Sequence, residues 1–335
     1  MTSITAAPRP SASVRAVAGV PGEGWDDRLV ALGGHFLQSR AWARCQVRMG
    51  WPVYHASGDG WMWLGIVQKV GPFRRLYLPY GPQVEDTGAL CAALSVASAC
   101  AREQRCHLVH CEPWSPQPLD PARCGARRVR PRQAEYTRVI RLDVDETTLR
   151  AGLSKGHRSA ITAAERKGIV VEQSSTREAL DAFLRMLRET SDRSGWSIYE
   201  DSYYRTIVDE LGTTGEATLY VARHDGRAIG AAIVFDLGDT RYYAFASSAG
   251  DQEARRLGPG PPLVWRTMMD ARAAGKQRFD FWGIAPPDEP GHPWSGFSAF
   301  KRSFGGEVLR RNGTWDVPVN AAMYRLWRLA QALRR

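Results

Sequence analysis

The chain has 335 residues, 44% of them hydrophobic and 24% charged, with a formal net charge of +10. That length suits two cores better than one, and the absence of any run of 18 apolar residues excludes a helix that crosses a membrane. Arginine supplies nearly all the positive charge, which suits a phosphate-bearing partner; arginine enrichment in a GC-rich genome would give the same balance. Cys45, Cys91, Cys100, Cys106, Cys111 and Cys124 form no Cys-x-x-Cys pair, and no secretory signal opens the chain. The pattern predicts reduced, mostly buried thiols and a cytoplasmic protein.

Residues 1–22, rich in Ala, Pro, Ser and Arg, read as a disordered leader. A helix is expected from His35 through Trp42, Cys45 and Val47, where apolar residues recur at helical spacing. Alternating apolar residues on either side of Asp59-Gly60 predict a β-hairpin, followed by a strand over 75–82. A helix over 88–104 and a buried strand over 106–111 come next. The order recurs later: a hairpin about Asp225-Gly226, a strand containing Tyr243, a helix over 261–274 and a strand over 279–282. Tyr54, Ala56, Asp59 and Tyr77 have counterparts 166 residues on, in Tyr220, Ala222, Asp225 and Tyr243. This repetition predicts an internal duplication, hence two similar α+β domains, each a mixed sheet flanked by helices. The expected division is residues 23–145 plus 308–335 for the first domain and 146–307 for the second.

Between the halves lies a basic segment, Arg123 to Arg141. A helix over 154–167 follows, with Lys155, His157, Arg158, Arg166 and Lys167 as candidate nucleic-acid contacts; a solvated helix face would look the same. After a helix over 176–191, Trp196, Tyr199, Tyr203 and Tyr204 crowd a loop and the next helix start, which suits a binding surface or a core. A loop with Pro286, Pro287, Pro290 and Pro293 then leads to Gly296-Phe-Ser-Ala-Phe300-Lys301-Arg-Ser-Phe304-Gly305-Gly306. A lysine between phenylalanines is a cation held against apolar walls, where charge acts strongly; a snorkelling lysine on a short amphipathic helix is the plainer alternative. The C-terminal helix, 319–333, places Met323, Leu326, Trp327, Ala330 and Leu333 on one face. Docking on the core is expected, with peripheral contact to an anionic membrane as the rival.

No P-loop, dinucleotide glycine motif, His-Glu-x-x-His or Gly-x-Ser-x-Gly occurs. Cys106, His107, His110 and Cys111 suggest zinc, but on a strand His107 faces opposite to Cys106 and His110, so no metal site is assigned. Arg255-x-x-Gly258-x-Gly260 matches the acetyl-CoA pyrophosphate loop of GCN5-related N-acetyltransferases (GNAT). That loop aims backbone N–H groups at phosphate, and Pro259, Pro261 and Pro262 remove three of them.

The ordered set of motifs resembles the Fem (FemABX) family of peptidoglycan-bridge aminoacyltransferases. The matching pieces are Phe36-Leu-Gln38-Ser-x-x-Trp42, Leu-Pro-Tyr80-Gly81-Pro82, Glu112-Pro113, His157-Arg158 with Ala164-Glu-Arg166-Lys167-Gly168, Ala246-Ser247-Ser248, Phe279-Asp280-Phe-x-Gly283, Phe300-Lys301 and Phe304-Gly305-Gly306. The resemblance implies two tandem GNAT-like domains and, with no heptad run present, the compact members without a coiled-coil arm. It implies amide-bond formation between an amino acid delivered by aminoacyl-tRNA and an amine acceptor, classically a peptidoglycan precursor, with no cofactor beyond the charged tRNA. It gives Lys301, with Phe300 beside it, the catalytic role of stabilising the developing oxyanion. Lys155, His157, Arg158, Arg166 and Lys167 would contact tRNA. Ser39, Arg40, Tyr199, Tyr203, Tyr243 and Trp196 would hold the acceptor. An arginine of the armless relatives is replaced here by Tyr199, which cannot fork onto a diphosphate. That departure leaves a lipid-linked precursor or a small natural-product amine of an antibiotic pathway open as acceptor. Acetyl-CoA-dependent N-acetylation and a non-catalytic RNA-binding module are the alternatives of other classes.

Overall fold

The computed structural model describes residues 14–194 and 197–333. The first half contributes strands β1 (Val17–Ala18), β2 (Val53–Gly58), β3 (Trp61–Val70), β4 (Phe73–Leu78), β5 (Gln83–Val84), β6 (Leu108–Cys111) and β7 (Arg127–Arg128). Then come β8 (Tyr136–Arg141), β9 (Ile169–Ser174), β10 (Ala217–His224), β11 (Arg227–Leu237), β12 (Thr240–Ser248) and β13 (Arg278–Asp280). The chain closes with β14 (Glu307–Arg310) and β15 (Trp315–Pro318). The helices are α1 (Trp25–Ala31), α2 (Arg40–Arg48), α3 (Thr87–Glu103), α4 (Glu146–Gly152), α5 (Lys155–Arg166), α6 (Arg177–Ser194), α7 (Asp201–Leu211), α8 (Gln252–Leu257), α9 (Gly260–Ala273), α10 (Ser295–Arg302) and α11 (Ala321–Leu333).

The strands form two sheets with the same plan. The first runs β1-β2-β3-β4-β6-β15-β7, with β5 added to β3; the second runs β14-β8-β13-β12-β11-β10-β9. Read from β1 and from β9, each is an antiparallel meander, a parallel pair joined by a crossover helix (α3 or α9), then two antiparallel strands. The duplication expected from the sequence is thus a tandem GNAT-like fold in which the halves exchange strands. β8 leaves the first half to pair with β13, and β15 returns from the C-terminus to pair with β6.

Three expectations shift. The boundary at 145 cuts wrongly, because Tyr136–Arg141 belongs to the second sheet; a two-residue frame of periodicity cannot say which sheet a lone strand joins. The leader is not unstructured to residue 22, since Val17 and Ala18 pair with His55 and Tyr54. And Cys91 and Cys124 form a disulfide, their Cα atoms 4.9 Å apart, because the second turn of α3 meets the 3-10 turn Pro121–Cys124. The other four cysteines are buried thiols. Among the described residues no helix is long and apolar enough to cross a membrane, and none exceeds the 18 residues of α6.

The halves meet through aromatic side chains. Phe36 stacks on Phe235 at 4.3 Å between centroids, and His35 lies 4.3 Å from Tyr80, 4.5 Å from Tyr242 and 4.8 Å from Trp282. Gln38, fully buried, ties the entry of α2 to the first sheet, donating to Leu64 and Pro79 carbonyls and accepting from the Leu64 N–H. These bonds satisfy β3 where it would otherwise lack a partner.

Candidate active site at Lys301

The parallel pair β12–β13 ends after three residues, Thr240–Tyr242 against Arg278–Asp280, and the strands then diverge. The gap is lined on one side by a tight turn. Gly283 N–H donates to the Phe281 carbonyl at 2.8 Å, with Trp282 at φ +67° between them. This is a γ-turn of the positive-φ kind, which costs a bulky residue roughly 1–3 kcal/mol and persists only when its surroundings impose it. Asp280 imposes it: one carboxylate oxygen accepts from the Trp282 N–H at 2.7 Å and from the Thr137 hydroxyl. The other accepts from Arg311 at 3.2 Å. Arg311 is itself buried, lying over Tyr80 at 4.4 Å and Trp114 at 5.3 Å.

The turn presents two carbonyls to Lys301. On α10, whose Ser298 hydroxyl accepts from the Ala285 N–H and so pins the helix to the loop, Lys301 Nζ donates to Phe281 O at 2.8 Å and Gly283 O at 2.7 Å. The Phe297 ring lies 4.9 Å away. An ammonium has three donors, so one N–H has no acceptor among the described residues. Burial lowers the Lys301 pKa to about 8, and the neighbouring Asp280 charge opposes that shift. The sequence suggested a snorkelling stem or a catalytic cation; the geometry is that of a desolvated cation held by dipoles.

Phe300 has a different task. Its ring lies where a Cβ on Gly260 would meet it at 3.1 Å, at the first residue of α9. With Pro259 capping that helix and prolines at 261 and 262, only Gly260 among residues 259–262 retains an N–H. The helix end that would cradle a pyrophosphate is therefore short of donors and covered.

The expected acceptor residues divide. Tyr199 and Tyr203 stack at 4.0 Å, and Tyr203 touches Trp42 at 6.3 Å and Phe245 at 6.3 Å; Phe245 is 6.5 Å from Trp282. One layer of rings thus separates these tyrosines from the turn that holds Lys301. Tyr243 is not with them. A bulge leaves Ala244 unpaired in β12, so Tyr242 and Phe245 share a face while Tyr243 points away, buried beside Phe279 and Phe281. Ser39 is buried and its hydroxyl caps α2 by accepting from the Trp42 N–H, and Arg40 donates through Nε to the Pro21 carbonyl. Neither points into the gap by any contact seen; they serve to aim Trp42 at Tyr203. Trp196 lies outside the described residues.

The expected tRNA contacts divide too. Lys155 and Arg166 are exposed with no partner among the described residues. Arg158 donates to the Leu153 and Ala151 carbonyls, and Lys167 to those of Arg256 and Leu257. His157 packs against Phe300 at 5.1 Å and Phe304 at 4.5 Å, and burial lowers its pKa. It joins α5 to the Lys301 helix. The zinc-like cysteine–histidine set is dispersed: His107 accepts from the Arg74 N–H, whereas His110 pairs with Asp316 at 2.6 Å.

A cavity of about 510 Å³ opens between the halves, walled by Val30, Trp114, Tyr242, Arg278 and Asp280. Lys301 is not among its lining residues; Asp280 is the link between the two. The residues missed in the sequence are His35, Trp282 and Arg311. Trp282 and Arg311 carried no pattern, because each acts through a contact made only when the halves meet.

A family model described as an acetyltransferase (GNAT) domain matches residues 151–302. The chain is 21% identical over 255 residues to a lipid II:glycine glycyltransferase of Staphylococcus epidermidis, covering 58% of this chain and 61% of the relative. It is 20% identical over 260 residues to the Staphylococcus aureus protein of the same description, with the same coverage. Among solved structures, FemX superposes with a TM-score of 0.77 at 19% identity, covering 90% of this chain and 98% of FemX. The chain is thus similar to Fem proteins in sequence and in fold. A tandem GNAT protein from the clavulanic acid biosynthesis pathway shares the fold at a TM-score of 0.55 and 15% identity, covering 91% and 98% of the two chains. The chain spans about 61% of the length of the curated relatives it matches.

Proposed function

We propose that the protein forms an amide bond between an amino acid delivered as an aminoacyl-tRNA ester and the amine of a peptidoglycan-precursor peptide, most directly a lipid-linked one. The observation that carries this reading is the pairing of a fixed, desolvated Lys301 cation with a closed acetyl-CoA loop. The amine nitrogen attacks the ester carbonyl, the carbonyl π electrons move to oxygen, and the C–O bond to the tRNA ribose then breaks. The proton lost by nitrogen ends on the ribose oxygen. Charge builds on the carbonyl oxygen and then on the leaving oxygen, and the uncommitted Lys301 N–H is the donor we assign to it. The ester is already activated, so no nucleotide triphosphate is needed. Lys155 and Arg166 on the exposed side of α5, one helix from Lys301, suit the acceptor stem. Tyr199 and Tyr203 suit the acceptor peptide. The relatives named as lipid II:glycine glycyltransferases support both the transfer and the acceptor class.

The test is amide formation from charged total tRNA with a lipid-linked pentapeptide precursor, in parallel with its soluble nucleotide-linked form and with small amines. Product that survives RNase, or that forms from acetyl-CoA, would refute the reading. Product on small amines alone would move the acceptor to a natural-product pathway, as the clavulanic acid relative's fold permits.

A further inference from the structure

A second cavity, about 390 Å³, lies between the first sheet, the segment Val129–Arg132 and α11, and shares no lining residue with the Lys301 turn. It occupies the face of the sheet turned away from α3: Leu76 and Val109 pack under α3, so Arg75, His110 and Asp316 alternate to the other side. Its lining includes four guanidinium groups, Arg75, Arg130, Arg132 and Arg328. None of the four forms an ion pair among the described residues. Arg75 is held by the neutral Gln68, Arg132 lies over the Tyr77 ring at 4.9 Å, and Arg328 reaches the Tyr324 hydroxyl.

The floor is built around an unsatisfied group. His110 is 6% exposed, and its Nδ1 is 2.6 Å from Asp316, whose other oxygen accepts from the Tyr324 hydroxyl at 3.2 Å. The acid at this site is therefore already engaged. His110 Nε2 is buried and has no hydrogen-bond partner among the described residues. Four guanidinium groups with no carboxylate partner around one cavity suit the oxygens of a phosphate.

The wall formed by α11 says where such a phosphate comes from. Tyr324 and Trp327 dock that helix on Phe73 and Leu108, as the sequence led us to expect for core docking. Leu326 and Leu333, expected on the docked face, are instead 52% and 88% exposed, and Leu329 is 61% exposed. The stripe is flanked by the exposed Arg325 and Arg328, and Arg328 also lines the cavity. Leucines beside a basic pocket match acyl chains beside a phosphate.

We propose that this cavity binds the phosphate headgroup of an anionic membrane lipid, with the Leu326–Leu329–Leu333 face of α11 lying on the acyl layer. The site is separate from the Lys301 centre, so it holds whether or not the aminoacyl-transfer reading survives. Were that reading correct, the site would bring the enzyme to the surface where a lipid-linked acceptor resides.

The experiment is flotation of the full chain with phosphatidylcholine vesicles, with and without 20 mol% (about that of an anionic surface) phosphatidylglycerol. Wild type should float only with the anionic vesicles. Arg130→Gln with Arg328→Gln should lower the partition about 25-fold, at roughly fivefold per arginine near a membrane surface. Both residues are exposed, so the variant should keep its melting temperature. Leu329→Ser with Leu333→Ser should also release the protein while leaving binding of soluble glycerol phosphate, followed by calorimetry, intact. Equal flotation of the arginine variant would overturn the proposal, as would binding of glycerol phosphate by wild type without flotation, which would make this a soluble-phosphate site. A variant that floats normally but loses tRNA would overturn it in favour of a nucleic-acid surface.

Discussion

Replacing Lys301 by Met removes the ammonium while keeping the stem. Three magnitudes follow from its surroundings. Burial lowers its pKa from 10.5 to about 8, so holding the charged form in the folded protein costs about 3 kcal/mol, at 1.36 kcal/mol per unit. Its loss relieves that cost. Against this, Gly283 O loses its only partner among the described residues, worth about 1–3 kcal/mol, and the Phe297 contact about 0.5–1 kcal/mol. Phe281 O still accepts from Gly283 N–H. The terms nearly cancel, so the midpoint of urea unfolding should stay within about 1–2 kcal/mol of wild type. The chemical step should not be spared: loss of one oxyanion donor lowers the rate constant by roughly 10²–10³. Single-turnover transfer from labelled aminoacyl-tRNA separates the rate from binding, which should change little because the donor acts mainly in the transition state. A full single-turnover rate in a folded Lys301→Met protein would refute the catalytic role. Weakened tRNA binding at unchanged rate would make Lys301 a phosphate anchor instead.

Four further outcomes are expected. Because the folded pKa lies below the ordinary lysine value, the ammonium is lost as pH rises through about 8; the rate profile should carry a descending limb there that Lys301→Met lacks. The same group binds fewer protons folded than unfolded between about 8 and 10.5, so its contribution to unfolding free energy should rise with pH across that window. Lys155→Ala with Arg166→Ala should flatten the log–log salt dependence of tRNA binding by about 1.8 units, at about 0.9 per phosphate contact; an unchanged slope returns both to a solvated face. Arg311→Met should leave Asp280 buried without its cation, lowering stability by about 3–5 kcal/mol by chemical denaturation, and should slow transfer as well by loosening the Trp282 turn.

The sequence alone determined the local elements and their repetition. Hairpins at Asp59-Gly60 and Asp225-Gly226 form where turn chemistry demands them. The helices at 88–104 and 261–274 begin and end within a residue or two of expectation, because side-chain period and caps are local properties. Motif order, another linear property, pointed to the likeness to Fem proteins and to Lys301 as a candidate. Tertiary structure decided everything that depends on which face or which half a residue joins. The exchange of β8 and β15 was hidden because strand pairing is non-local. Tyr243 turned from candidate contact to core because one bulged residue reverses a strand's alternation. Arg158 and Lys167 were indistinguishable in sequence from Lys155 and Arg166, yet backbone carbonyls engage only the first two: those of Ala151 and Leu153, close in the chain, for Arg158, and those of Arg256 and Leu257, at the end of α8, for Lys167. Lys301 itself was legible as a residue type and a spacing. Its two carbonyl acceptors, the strained turn that aims them and the Asp280–Arg311 pair behind that turn exist only because β8, β13, α10 and the C-terminal segment converge, and convergence of distant segments leaves no periodic trace in a chain.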